Sequence, residues 1–234
     1  MKVYFVGFGP GDPELLTIKG YKLLKEADLI VYPGSLIDKK YLKQFRGEKI
    51  NSYGLKLEEI VDIIEKAVRD GKKVVRLHSG DPSIYGAMGE QIRELERRGI
   101  ECEIVPGVSS VFASAAAIKR ELTTPEAPGI IITRPKGKTL KEDYLSILAS
   151  TPLTLVILLG VDKIEYIVEK VGKIRGMNEP CAVVYHASRE DEKIIISNLG
   201  EIADKVRKAG IKRTATIIIG KAVEGYKGRS ILYG

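Results

Sequence analysis

The sequence predicts an α/β protein of two domains, the N-terminal one with a mostly parallel sheet and the C-terminal one with a mixed sheet. Short apolar runs alternate with stretches of helical periodicity, a pattern typical of sheets covered by helices on both faces. The segment ELTTPEAPG (121–129) interrupts this pattern, which then starts again. We therefore predict domains at 1–122 and 129–234, joined by a linker at 123–128.

In the first domain, β-strands are predicted at 3–6, 29–32, 74–77 and 103–105. Helices are predicted between them, at 13–27, 57–69, 84–98 and 108–118. Asp12 followed by Pro13 is a typical helix start. Gly71 and Gly99 are typical helix ends. The segment 108–118 is small and apolar on all sides, which indicates a buried helix.

In the second domain, strands are predicted at 130–133, 153–159, 182–185, 193–196 and 215–219, with helices at 140–149, 163–171 and 199–209. The apolar run 193–196 follows the polar segment SREDE, which favours a hairpin with the strand before it. A hairpin inside a strand–helix alternation makes the second sheet mixed.

Composition narrows the class of protein. The chain has 234 residues, of which 44% are hydrophobic and 29% charged, and it contains no apolar stretch of membrane-spanning length. The apolar start is too short for a signal peptide, so we expect a cytoplasmic protein. The two cysteines are far apart, so neither a disulfide framework nor a metal site is expected. The net charge of +7 favours an anionic partner, or it belongs to an ion-pair-rich surface.

Three glycine-containing loops follow predicted strands: GFGPGD (7–12), HSGDPSIYG (78–86) and PGVSS (106–110). Ligands of open parallel sheets bind outside the carboxyl ends of the strands, so these loops could line one crevice. Tight-turn chemistry alone could also explain each loop, with Asp12 and Asp81 as helix caps.

The first loop does not fit a phosphate. The dinucleotide motif needs a third glycine where Asp12 stands, and a carboxylate at a helix start repels a pyrophosphate. No segment matches the P-loop pattern either. These loops therefore predict a ligand site without naming the reaction.

Six ordered segments resemble the tetrapyrrole methyltransferases over essentially the whole chain: GFGPGDPELLTIKG, ADLIVYPGSL, RLHSGDPSIYG, PGVSSVFASAAAI, AVVYHASREDE and IKRTATIIIG. YPGSL, RLHSGDPSIYG and VVYHASREDE resemble most the branch that methylates C-11 of cobalt-precorrin-4. The resemblance implies methyl transfer from S-adenosylmethionine in corrin-ring (cobalamin) biosynthesis, a homodimer, and a cleft between the two domains that holds the cofactor. Carried over position by position, the implied cofactor contacts are Pro10, Gly80, Asp81, Ile84, Ser109, Ser110, Leu159, Ala182 and Ala215.

The resemblance also gives the positive charge a purpose, because a precorrin carries several carboxylates. Candidate substrate-binding residues are Lys119, Arg120, Arg134, Lys136 and Arg189, each of which could instead be an ordinary surface charge. His78, Tyr85 and His186 are candidates for a catalytic role, and none is assigned as a general base. No protein-bound metal is expected, since any cobalt would arrive within the substrate.

Two departures from the branch stand in one loop: His186 replaces a Lys or Arg, and Arg189-Glu190 replaces a Trp-Pro pair. Other functions therefore stay open. One is another methyltransferase of the same fold, acting on a different precorrin, on uroporphyrinogen-III or in diphthine synthesis. The other, from a different class, is a nucleotide- or RNA-binding module, although the chain has no Lys/Arg block and no Trp.

Overall fold

The computed structural model describes residues 2–138 and 140–229. The chain divides into two compact units, Met1–Ser110 and Val111–Gly234. The predicted linker at 123–128 falls inside the second unit, and the predicted domains 1–122 and 129–234 stay a prediction. The last five residues of the second predicted domain, 230–234, lie outside the described residues.

The first unit contains a five-stranded sheet in the order β3-β2-β4-β1-β5, with every neighbouring pair parallel. Its strands are β1 (Lys2–Gly7), β2 (Leu29–Tyr32), β3 (Glu48–Asn51), β4 (Val74–His78) and β5 (Glu101–Val105). The helices that follow them are α1 (Ile18–Glu26), α2 (Leu57–Arg69), α3 (Met88–Arg97) and α4 (Ser110–Ala117). The predicted parallel sheet is confirmed.

Both faces of this sheet are covered, because alternate residues of each strand point to opposite sides. Val6, Ile30 and Leu77 pack with Leu24 of α1 on one face. Phe5, Val31 and Val74 pack with helices α2 and α3 on the other face, and the core residues of this cluster are all buried. Strands buried on both faces need continuous apolar sequence, which is why LIVY is apolar throughout and VVRLH is apolar except at Arg76 and His78.

The second unit contains a five-stranded sheet in the order β6-β7-β10-β8-β9. Its strands are β6 (Ile130–Thr133), β7 (Thr154–Ile157), β8 (Pro180–Tyr185), β9 (Lys193–Asn198) and β10 (Ala215–Ile219), and its helices are α5 (Leu145–Ala149), α6 (Ile164–Arg175) and α7 (Leu199–Lys208). β6 and β7 are parallel, and the other pairs are antiparallel. The predicted mixed sheet and its β8–β9 hairpin are confirmed.

Several element boundaries differ from the prediction. The helix predicted at 13–27 is a 3-10 turn at Pro13–Leu15 followed by α1, because Leu16 and Thr17 are extended. Asp12 caps only the turn, whereas the Thr17 hydroxyl accepts from the Gly20 N–H at 3.1 Å and caps α1. The prediction that Asp12 caps the helix was therefore wrong.

Other differences have local causes. The sequence prediction missed β3, whose residues EKIN are too polar to resemble a buried strand. α3 starts at Met88 and not at residue 84, because Tyr85 and Ala87 have left-handed φ angles of 53° and 49°. α5 starts at Leu145, after the turn made by Asp143.

None of the helices in the described ranges is long and apolar enough to cross a membrane.

Candidate functional site

The three glycine-containing loops follow three adjacent strands of the first sheet. β1 lies between β4 and β5, and Gly7 pairs with His78 while Val6 pairs with Val105. All three strands are parallel, so their carboxyl ends share one edge of the sheet. The structure thus brings the predicted loops together, as expected from the position of each after a strand.

Backbone contacts join the loops closely. Gly9 and Gly80 exchange hydrogen bonds of 3.2 and 2.8 Å, and the Phe8 N–H donates to the His78 carbonyl at 2.8 Å. A Cβ atom added to Gly107 would lie 2.3 Å from the Gly80 carbonyl oxygen, and one added to Gly7 would lie 2.6 Å from the Gly107 Cα. No side chain fits at these positions, so glycine here is a packing requirement.

Asp81 connects the second and third loops. Its Oδ2 accepts from the Gly107 N–H at 2.9 Å, and its Oδ1 accepts from the Ser83 N–H at 2.8 Å and from the Ser83 hydroxyl. Partial burial raises the pKa of Asp81, but these hydrogen bonds outweigh it and hold that pKa below its ordinary value. Asp81 is therefore ionised at neutral pH and places a negative charge between the second and third loops.

The other predicted cofactor contacts of this unit lie in the same loops. Pro10 is buried in the first loop, and Ile84 is half-buried in the second. Ser109 is 4% exposed, and Ser110 begins α4. Their roles toward a ligand stay predictions.

His78 lies at the end of β4 and is only 4% exposed. Burial, helped by the nearby positive charge of Arg76, lowers its pKa to about 3, so the imidazole is neutral. Its ring stacks against Phe5 at 5.7 Å, and its Nε2 is buried without a hydrogen-bond partner among the described residues. A neutral ring in this position cannot act as a cationic carboxylate ligand.

A polar network that the sequence reasoning missed lies two residues earlier on β4. Arg76 is buried and donates to the Gln91 side chain at 2.9 Å and to the Val31 and Leu77 carbonyls at 3.4 and 3.3 Å. Gln91 in turn donates to the Ala87 carbonyl at 3.1 Å. Burial lowers the pKa of Arg76 to about 10. The only sequence signal was a charged residue inside an apolar strand.

The second unit has its own cluster of predicted site residues at one edge of its sheet. Ile157 pairs with Ile217, so Leu159 just after β7 and Ala215 at the start of β10 share this edge. Arg134 follows β6, whose Thr133 pairs with Ile157. His186 follows Tyr185, the partner of Ala215. Ala182 does not reach the edge, since it pairs with Ile218 and is fully buried.

Backbone strain is concentrated at this edge. Leu159, His186, Ser188 and Thr214 have left-handed φ angles of 53°, 49°, 69° and 56°. Non-glycine residues in this region cost roughly 1–3 kcal/mol each and cluster at functional sites. Tyr85, a candidate catalytic residue, has the same kind of backbone in the second loop of the first unit and is 43% exposed.

The remaining basic candidates have several environments. Arg120 donates to the Val223 and Lys119 carbonyls, both at 3.0 Å, which gives it a structural role. The ammonium of Lys136 lies 5.0 Å from the centre of the Tyr166 ring. The Arg189 N–H donates to the His186 carbonyl at 2.9 Å. Lys119 is exposed at the end of α4, with a φ of 55°.

The donor set of the three loops in the first unit discriminates between ligand classes. The loops offer backbone groups, hydroxyls and the two carboxylates Asp12 and Asp81, and they contain neither Lys nor Arg. Such a set suits a neutral or cationic ligand and not a phosphate. Within residues 2–138 and 140–229, no group of three His, Cys, Asp or Glu side chains is placed to hold a metal ion.

Comparison with known proteins identifies the class of protein. Residues 2–203 match the family model of the tetrapyrrole (corrin/porphyrin) methylases, so the chain belongs to this family. The chain is 52% identical to a cobalt-precorrin-4 C(11)-methyltransferase of Methanocaldococcus jannaschii, over 99% of this chain and 92% of that protein.

Two solved structures are also similar. A cobalt precorrin-4 methyltransferase of cobalamin biosynthesis superposes with a TM-score of 0.91 at 39% identity, covering 95% of both chains. A uroporphyrin-III C-methyltransferase of Thermus thermophilus, complexed with S-adenosylhomocysteine, has a TM-score of 0.83 at 36% identity, covering 96% of this chain and 99% of that one.

Proposed function

We propose that this protein transfers a methyl group from S-adenosylmethionine to C-11 of precorrin-4 or cobalt-precorrin-4, a step of corrin-ring synthesis. The observation that carries the proposal is the 52% identity, over 99% of the chain, to a protein of that activity. The identity to the uroporphyrin-III enzyme is lower, at 36%. The segments that distinguished the C-11 branch in the sequence support the same choice.

The loops of the first unit fit the cofactor. When bound, S-adenosylmethionine supplies an electrophilic methyl group on a sulfonium cation. The ionised Asp81, with no Lys or Arg in the three loops, makes the local field favourable for a cationic ligand. Gly80, Ile84, Ser109 and Ser110 offer backbone and small side-chain contacts beside it. In the second unit, Leu159 and Ala215 are candidates for further contacts, and the buried Ala182 could contribute only through a small apolar surface.

The reaction needs positioning more than chemical assistance. The electron-rich carbon of the substrate forms a bond to the methyl carbon, and the bond to sulfur breaks with its electron pair staying on sulfur. One positive charge then remains on the methylated ring until a proton leaves to water or to a base. Orientation of two reactants within a site can supply several kcal/mol of the barrier, and the rigid loop contacts provide such a fixed frame.

The basic residues at the edge of the second sheet suit the carboxylates of the substrate. Arg134 and Lys136 follow β6, and Arg189 lies in the loop after β8. We assign them to substrate binding, and we assign Lys119 and Arg120 to it less directly, since Arg120 already caps backbone carbonyls. A cytoplasmic location and a homodimeric state complete the proposal.

The test is incubation of the purified protein with S-adenosylmethionine and cobalt-precorrin-4, followed by mass spectrometry of the tetrapyrrole. The expected product is heavier by one methylene unit. Parallel reactions with metal-free precorrin-4 and with uroporphyrinogen-III distinguish the substrates, and a product from uroporphyrinogen-III alone would overturn the assignment.

Calorimetric titration with S-adenosylhomocysteine tests the cofactor site separately. Gly80→Trp should abolish binding, because it fills the space beside Ser109. Gly89→Ala is the matched control, since Gly89 lies on α3 with no atom within 4 Å of an added Cβ. Salt-sensitive RNA binding without a calorimetric signal would support the RNA-binding alternative instead.

A further inference from the structure

The loop between β8 and β9 contains a histidine–aspartate pair that no sequence pattern pointed to. The Nδ1 atom of His186 lies 2.9 and 2.8 Å from the two carboxylate oxygens of Asp191. An ionised carboxylate can only accept, so the proton of this hydrogen bond belongs to Nδ1. The five-residue separation in a non-helical loop carries no periodic signal, which is why the pairing was not predicted.

The imidazole is held in place by more than this bond. Its ring stacks on Tyr185 with centroids 3.7 Å apart and planes 17° apart. The His186 N–H donates to the Thr214 carbonyl at 3.2 Å, next to Ala215. His186 also has a left-handed φ of 49°, a cost that the surrounding contacts must outweigh. The side chain is still 17% exposed, so the ring is fixed without being sealed from solvent.

Fixing Nδ1–H toward Asp191 determines what the other nitrogen can do. In the described part of the chain, the ring has no further hydrogen bond, which leaves Nε2 available to a ligand. When the ring is protonated, Nε2–H is a cationic donor; when it is neutral, Nε2 is a lone pair that repels an anion. The hydrogen bond from His186 lowers the pKa of Asp191, so this carboxylate stays ionised and accepts the Nδ1–H proton.

The other charged and titratable groups near the pair come from each element that meets the loop: Arg189, Glu190 and Glu192 within it, Tyr185 and Lys193 at the strand ends, and Arg213 beside Thr214. Glu192 is engaged by the Ser188 N–H at 2.7 Å. Positively charged side chains thus occur both within the loop and at the neighbouring strand ends. The same edge of the sheet also carries Arg134, which follows β6.

We propose that His186, oriented by Asp191, binds a carboxylate of the tetrapyrrole substrate through Nε2–H, which makes substrate affinity depend on pH. This inference rests on the proposed function for its ligand class. His186 is a binding residue in it, and Asp191 is a positioning residue. Binding is strong when the imidazole is protonated and weak when it is neutral, because only the protonated ring carries a donor on Nε2.

The experiment measures kcat and KM for cobalt-precorrin-4 between pH 6 and 8.5. The wild-type KM should rise about tenfold across this range, the size of one charge-assisted hydrogen bond, with kcat changing little. His186→Lys, a permanent cation over this range, should remove the pH dependence of KM. His186→Gln should give a high KM at every pH. Asp191→Asn should raise KM, because the ring loses the carboxylate that orients it.

Lys208→Gln, on the exposed end of α7, is the control for loss of one positive charge and should follow the wild type. A flat wild-type KM with a pH-dependent kcat would overturn the proposal and indicate a proton acceptor. An unchanged KM in His186→Gln would overturn it as well.

The dissociation constant of uroporphyrin III, a stable polycarboxylate tetrapyrrole, can be measured at the same pH values without turnover. It allows the wild type and the His186 variants to be compared by binding alone. Absence of any methylated product would refute the proposed function, whereas the pH dependence of this binding would still test His186. Affinity that does not change with pH in this assay, together with an unaffected His186→Gln variant, would refute the inference alone.

Discussion

The close backbone contact between the third and second loops of the candidate site makes a quantitative prediction for Gly107→Ala. The added Cβ would lie 2.3 Å from the Gly80 carbonyl oxygen and 2.8 Å from the Gly7 Cα, and both neighbours are backbone atoms that cannot rotate away. Overpacking of this kind costs about 1–3 kcal/mol. Separating the loops also lengthens the 2.9 Å bond from the Gly107 N–H to Asp81, and a hydrogen bond to a charged group contributes about 1.5–3 kcal/mol.

The expected destabilisation is about 3 kcal/mol or more, which lowers the Tm by roughly 6–12 °C for a chain of this size. Thermal unfolding followed by circular dichroism measures it, and titration with S-adenosylhomocysteine should show weakened binding. Gly89→Ala, which adds a methyl group in open space, should leave the Tm the same or slightly higher. A Gly107→Ala protein with wild-type Tm and wild-type affinity would refute the argument that these loops form one rigid frame.

Three further predictions concern stability. Thr17→Ala should destabilise the protein by about 1 kcal/mol in urea denaturation, and Asp12→Ala should destabilise it less, because Thr17 caps α1 whereas Asp12 caps only a 3-10 turn. A larger destabilisation by Asp12→Ala would show that Asp12 is the helix cap. Because the pKa of His78 falls from 6.5 to about 3 on folding, the unfolded chain binds the proton more readily, and stability is lost as the pH falls below 6.5. Between pH 6.5 and 4.5 this group should lower the free energy of unfolding by roughly 2–3 kcal/mol. Urea denaturation at a series of pH values should show a smaller loss of stability for His78→Gln than for the wild type. Equal losses in the two proteins would contradict a buried neutral imidazole. Arg175→Lys should lower the free energy of unfolding by about 2 kcal/mol, because the guanidinium donates to the Ala149, Thr151 and Leu153 carbonyls and pairs with Glu179. Lys173→Arg, at an exposed ion pair on the same helix, should leave the stability unchanged. Equal Tm values for the two variants would refute this prediction.

Much of the fold was predictable because apolar periodicity is a local property. β2, β6, β10 and α2 have the predicted bounds, and the polar SREDE segment correctly indicated the β8–β9 hairpin. Boundaries failed where tertiary contacts override propensity. Tyr85 and Ala87 adopt left-handed backbone, a state that no pattern of hydrophobic residues reveals. β3 is an edge strand of polar residues whose identity depends on its pairing with β2.

For the candidate site, the amino-acid sequence predicted the groups available for chemistry: three glycine-containing loops after strands, the carboxylates Asp12 and Asp81 among them, and no Lys or Arg to receive a phosphate. What these groups do depends on the tertiary structure. Asp81 ties two loops together through Gly107, and His78 loses its charge by burial. Asp191 meets His186 across a loop turn. Residue types and strand order are written along the chain, whereas hydrogen-bond partners and pKa values depend on distance and solvent exclusion, which exist only after folding.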